Sequence, residues 1–161
     1  MLNKCVQIAR LKLTQVGGVV YEGNPLNTYD NVMGFIRKVL GGMDSLCFAV
    51  CAVDRGLNPL CIQKIDNGLE RSCEFSVRDA LTFALASSAY GIIVAHNNVF
   101  ENLYVSEEDM GIVMDIKKKG LMLGIQLIDY VVIDKFNGNF WFLSDNEKNI
   151  YEEFMGKGLV R

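Results

Sequence analysis

A single histidine, His96, closes an apolar run, and the chain continues as Ala-His-Asn-Asn-Val-Phe-Glu-Asn-Leu-Tyr-Val-Ser-Glu-Glu-Asp to Asp109. Imidazole is the commonest metal ligand, and the carboxylates of Glu101 and Asp109 are of a type that can share an ion with it. Each residue also has a simpler role. A lone histidine at a strand end is more often hydrogen-bonded than metallated, and Asp109 stands three residues after Ser106, which suits the third helical position of a capping box. The five cysteines, Cys5, Cys47, Cys51, Cys61 and Cys73, are odd in number and lie mostly in apolar segments. That is the usage of free thiols in a reducing cytosol, so a cytoplasmic protein is expected. Cys47 and Cys51 make no zinc clip if they lie in a strand, where residues four apart are roughly 13 Å from each other.

Other chemistries lack their residues. A net charge of -3 with mixed signs gives no footprint for nucleic acid. The densest basic group, Lys117-Lys118-Lys119, is placed by the helix pattern in a last turn before Gly120, facing the negative end of the helix dipole. Neither Gly17-Gly18 nor Gly41-Gly42 leads into the Lys-Ser or Lys-Thr of a phosphate loop. The apolar runs are shorter than the roughly 20 residues that span a bilayer, and the first residues alternate instead of forming a signal-peptide core, so no membrane partner is expected.

The elements that must position these residues follow from pattern. Residues 6 to 21 alternate as an edge strand or hairpin would, ending at Gly23-Asn24-Pro25. Thr28 caps a helix whose inner face is Val32, Phe35, Ile36, Val39 and Leu40, closed by Gly41-Gly42. Leu46 to Val53 and Leu60 to Ile65 read as a hairpin across Asp54 to Pro59. Ser76 caps a second helix with Val77, Ala80, Leu81, Ala84 and Leu85 inward. Tyr90 to Ala95 is a continuous apolar run, hence a central strand with His96 at its carboxyl end, where sites are often carried. A third helix runs from Ser106 to Gly120, a long strand from Gly124 to Asp134, a short one from Phe140 to Ser144, and a terminal helix starts at Ser144. The sum is one α/β domain over residues 1–161, a mixed β-sheet sandwiched by about four helices.

The order of these elements, with "AHNN...VSEED", "LGIQLIDYVVI" and most of the chain from Arg10 to Ser144, resembles the RadC group of JAB/MPN metalloprotease-like (JAMM) domains. The resemblance implies the cytidine deaminase-like JAB/MPN architecture. It also implies a zinc site built from a His-x-His pair at a strand end and an Asp at the start of the next helix, with a Glu on an earlier strand and a Ser beside the histidines. Three protein ligands leave zinc a fourth position for water, whose proton the carboxylate moves. Related eukaryotic domains cleave isopeptide bonds.

Carried over residue by residue, the spacing holds and the chemistry does not. His96 matches the first histidine and Asp109 the aspartate, but the second histidine is Asn98, a poor zinc ligand. The family's serine becomes Phe100, and its glutamate becomes Leu46. Asp44, two residues before Leu46, is about 7 Å along the strand from that place. The family's Asp-His pair near the last long strand becomes Asp129-Tyr130.

The expectation is therefore a catalytically inactive domain kept as a binding module, with no cofactor. Its candidate contact surface is Asn97, Asn98, Val99, Phe100 and Tyr104, and its partner a protein or small-molecule ligand, with a homodimer as a further form. The alternative is a zinc-dependent metallopeptidase or isopeptidase with a rearranged site of His96, Asp109 and Glu101 or Asp44. Since RadC-like domains are often carried on mobile elements, the resemblance also implies a phage or plasmid origin.

Overall fold

The computed structural model describes residues 5–69, 73–100 and 103–146. Helix α1 (Tyr29–Leu40) begins where Thr28, in extended conformation, accepts a hydrogen bond from Asn31 N at 3.2 Å, and its five predicted inward residues are all buried. Strands β1 (Phe48–Val53) and β2 (Pro59–Ile65) form the expected antiparallel hairpin. The Asp54 carboxylate closes the turn by accepting from Gly56 N and Asn58 N at 2.8 and 2.9 Å. Helix α2 (Val77–Ala86) is capped by Ser76, and β3 (Gly91–Asn98) follows, buried along its whole length. Helix α3 (Glu107–Leu123) crosses back to β4 (Gln126–Asp134), which turns into β5 (Phe140–Phe142) and then a helical turn at residues 143–146.

The strands lie in the order β2-β1-β3-β4-β5, with β3 and β4 parallel and every other neighbouring pair antiparallel. Helices cover both faces of this mixed sheet, the α/β layering that the JAB resemblance implies. One core joins Val50, Ile92, Val94, Tyr130 and Val132 to α2 and α3. The other joins Cys51, Ile93, Ala95 and Val131 to α1. β1 and β3 carry near-continuous apolar sequence because each is flanked by strands and helices on all sides.

Two expectations are corrected. Residues 6–21 form no strand or hairpin: Val6, Ile8, Val16 and Val20 are 89–103% exposed, and only Val19 and Tyr21 reach the α1 core. Alternation makes a strand only where a neighbour supplies hydrogen bonds, and in this chain β2 and β5 end the sheet without taking the segment up. Helix α3 does not stop at Gly120 but runs one turn further, to Gly124 in left-handed conformation (φ 72°). Gly120 is there for space, since a Cβ on it would come within 2.5 Å of the Ile125 carbonyl oxygen. The three lysines therefore lie inside the helix, where Lys119 pairs with Asp115 one turn away at 2.6 Å. Most of the expected terminal helix falls beyond residue 146, outside the described residues.

Candidate functional site: a buried His-Tyr-Asp cluster

Three elements converge on His96. Its ring faces the α2/α3 side of the sheet, packed 4.9 Å from the ring of Phe48, its cross-strand partner on β1. On β4, Tyr130 pairs with Val94, so the phenol lies on the same face as His96 and one pleat back, and it reaches forward along that face. Asp109 comes from the first turn of α3, held by a reciprocal capping box: Ser106 Oγ accepts from Asp109 N at 3.1 Å, while Asp109 Oδ2 accepts from Ser106 N at 2.8 Å and from Ser106 Oγ at 2.7 Å.

The Tyr130 hydroxyl joins the other two. It donates to Asp109 Oδ1 at 2.8 Å and lies 3.1 Å from His96 Nδ1, with Nδ1 and Oδ1 themselves 3.8 Å apart. All three side chains are buried, Tyr130 completely. A phenol has one proton, and here it goes to the carboxylate. The contact with His96 is then a hydrogen bond only if Nδ1 carries the hydrogen and donates to the phenol oxygen, which fixes the ring tautomer. Burial lowers the His96 pKa below its ordinary value, with the Asp109 carboxylate pulling the other way. Burial, reinforced by Asp109, raises Tyr130 well above its ordinary value. A neutral imidazole donating from Nδ1, a neutral phenol and an accepting carboxylate make a mutually consistent set of hydrogen bonds around the phenol oxygen.

The other predicted positions are dispersed. Asn98 is buried and spends its amide oxygen on Phe100 N at 3.2 Å, a local turn. Asn97 points to the opposite face, where it accepts from Cys47 N at 2.7 Å and donates to Ser45 O at 2.8 Å, clamping the entry to β1. With Val99 buried as well, the expected contact surface loses Asn97, Asn98 and Val99, because β3 runs through to Asn98, paired with Asp134. Phe100 and Tyr104 remain exposed, their rings 6.2 Å apart. Leu46 precedes β1 and packs against the α2/α3 core. Asp44 is turned out to solvent beside Lys135, 3.4 Å away. Glu101 lies outside the described residues.

The described residues of the site do not by themselves fit a zinc ion. Of the family's ligand positions only His96 and Asp109 keep a ligating side chain, and the atoms with which they face each other are already bonded to Tyr130. Among the described residues no three His, Cys, Asp or Glu side chains come together. Sequence reasoning found both ends of the cluster and missed its middle: Tyr130 registered as a lost histidine, although a polar residue inside an apolar central strand was itself a signal. Its neighbour Asp129, on the opposite face, is buried and accepts from Ser144 Oγ at 2.6 Å and Ser144 N at 3.2 Å, tying the turn at 143–146 to the sheet. Across the sheet from the cluster, a cavity of about 250 Å³ opens between the end of α1 and the ends of β3 and β4, lined by Arg37, Met43, Asn97 and Lys135 among others.

A mixed α/β sheet with a histidine near the end of a central strand and a capping aspartate on the following helix is the arrangement that the JAB resemblance implies. A family model for the RadC-like JAB domain matches residues 26–149, and the chain belongs to that family. It is similar to a UPF0758 protein of Acinetobacter baumannii, 30% identical over 111 residues, which are 69% of this chain and 47% of that protein. A UPF0758 protein of Acinetobacter baylyi is 30% identical over 117 residues, 73% of this chain and 43% of that one. One from Clostridium kluyveri is 36% identical over 73 residues, 45% and 30% of the two chains. The matched part thus spans less than half the length of these relatives.

Proposed function

We propose that this RadC-like JAB domain is catalytically inactive and serves as a binding module for a protein or small-molecule partner in the cytoplasm. The observation that carries the reading is the donor set: one imidazole and one carboxylate, whose facing atoms both meet the Tyr130 hydroxyl, with Asn98, Phe100 and Leu46 where the family has its remaining ligand, its serine and its glutamate. Hydrolysis of this class needs an open metal position and a proton carrier beside it, and the described residues offer neither. Binding is supported by the exposed Phe100 and Tyr104, an aromatic pair on the segment between β3 and α3, and by the cavity across the sheet. Five unpaired cysteines support the compartment. No helix among the described residues is long and apolar enough to cross a membrane, and the net charge of -3 argues against nucleic acid.

The test is the zinc content of protein purified without chelator, together with hydrolysis of peptide and isopeptide substrates. The reading expects less than about a tenth of a zinc per chain and stability unchanged by EDTA. Close to one zinc per chain, lost in His96→Ala, returns the domain to the metallopeptidases.

A further inference from the structure

We propose that the Tyr130 hydroxyl actively excludes a divalent cation from the space between β3 and α3, so that restoring the missing ligand by Asn98→His leaves the centre without metal until that hydroxyl is also removed. The inference deepens the reading above and adds a cause to it: the site is closed by an occupant as well as short of a ligand.

Spacing is not what keeps an ion out. Tetrahedral ligand atoms at about 2.0–2.2 Å from zinc stand roughly 3.3–3.6 Å apart, and His96 Nδ1 and Asp109 Oδ1 are separated by 3.8 Å. A shift of a few tenths of an ångström would bring them into range. The phenol oxygen, however, is 3.1 Å from one and 2.8 Å from the other, and uses both. For the imidazole to bond that phenol, Nδ1 has to carry a hydrogen where a metal needs a lone pair, and Oδ1 already accepts from Tyr130. Tyr130 has no other place to go, being fully buried in the core that β4 shares with α2 and α3. A cation placed between Nδ1 and Oδ1 must therefore displace the phenol from both of its contacts.

The experiment compares zinc affinity, measured by competition with a chromophoric chelator, in wild type, Asn98→His, Tyr130→Phe and the double variant. Far-UV circular dichroism and metal-free unfolding curves establish that each is folded. We expect wild type and Asn98→His to stay below about a tenth of a zinc per chain. The double variant should take close to one, at an affinity at least roughly 10-fold above Asn98→His, the factor set by one charge-assisted hydrogen bond. Zinc should raise the unfolding midpoint of the double variant alone. Where the phenylalanine variant does not fold, Tyr130→Leu in the Asn98→His background is read against the same outcomes. Equal affinity in Asn98→His and the double variant makes Tyr130 a bystander and overturns the inference. So does affinity that falls on Tyr130→Phe, which would make the phenol a ligand, and so does a folded double variant that takes no zinc. The inactive-module reading stands or falls separately, on the zinc content and hydrolysis of the wild type.

Discussion

Asp109→Ala is the sharpest probe of how the cluster holds the fold together. The carboxylate accepts three hydrogen bonds, from Ser106 N, Ser106 Oγ and Tyr130 Oη, at 2.7–2.8 Å. Losing its half of the capping box and its charge in the first turn of α3 costs about 1 kcal/mol. The bond from the buried phenol to a carboxylate is worth about 1.5–3 kcal/mol. Part of that is recovered, because the hydroxyl can turn to His96 Nδ1, 3.1 Å away, if the ring moves its hydrogen to Nε2. The net expectation is a loss of about 3 kcal/mol, or roughly 6–12 °C in melting temperature for a domain of this size. Urea unfolding followed by Trp141, the single tryptophan, measures it, with the denaturant slope unchanged. Asp109→Asn should lose less, about 1–2 kcal/mol, since its amide oxygen still accepts from Tyr130. A loss below about 1 kcal/mol in the alanine variant would refute the idea that Asp109 joins α3 to the sheet. If EDTA destabilised the wild type to the level of the variant, a metal rather than Tyr130 would be the link.

His96 has a pKa below its ordinary 6.5, so between the folded and unfolded values the unfolded chain binds more protons, and stability falls as pH drops through about 6.5. Against His96→Gln, urea midpoints should show a difference constant above about pH 7.5 and shrinking below 6.5, by up to about 1.4 kcal/mol per pH unit; a parallel pair of curves contradicts this. Asp129, whose pKa burial raises, acts with the opposite sign at lower pH but is present in both proteins. Gly120→Ala and Gly111→Ala should move stability in opposite directions. A Cβ at Gly120 meets the Ile125 carbonyl at 2.5 Å and should cost about 1–3 kcal/mol, while nothing lies within 4 Å of Gly111, where alanine should add up to about 1 kcal/mol; chemical denaturation decides both.

The sequence alone determined the elements whose signals are local. Helix α1 repeats apolar residues at helical spacing behind a threonine cap, β3 is an apolar run too short for a helix, and Ser106 with Asp109 spells a capping box; the first and last stand in the structure as read, and β3 is a central strand that runs on past His96 to Asn98. The spacing from His96 to Asp109 also carried the family resemblance, which the family model bears out over residues 26–149. Tertiary structure decided whatever depends on a neighbour. The alternating residues 6–21 needed a partner strand and have none, and Gly120 answers to Ile125 O rather than to the end of its own helix. Asn97 and Asn98 looked like loop residues until pairing with β4 carried β3 through them. Tyr130 meets His96 only because β3 and β4 run parallel in a register that puts both side chains on one face, and meets Asp109 only because α3 crosses over that face. Periodicity records which way a side chain points along its own strand, and only the packing of one element on another settles what stands opposite it.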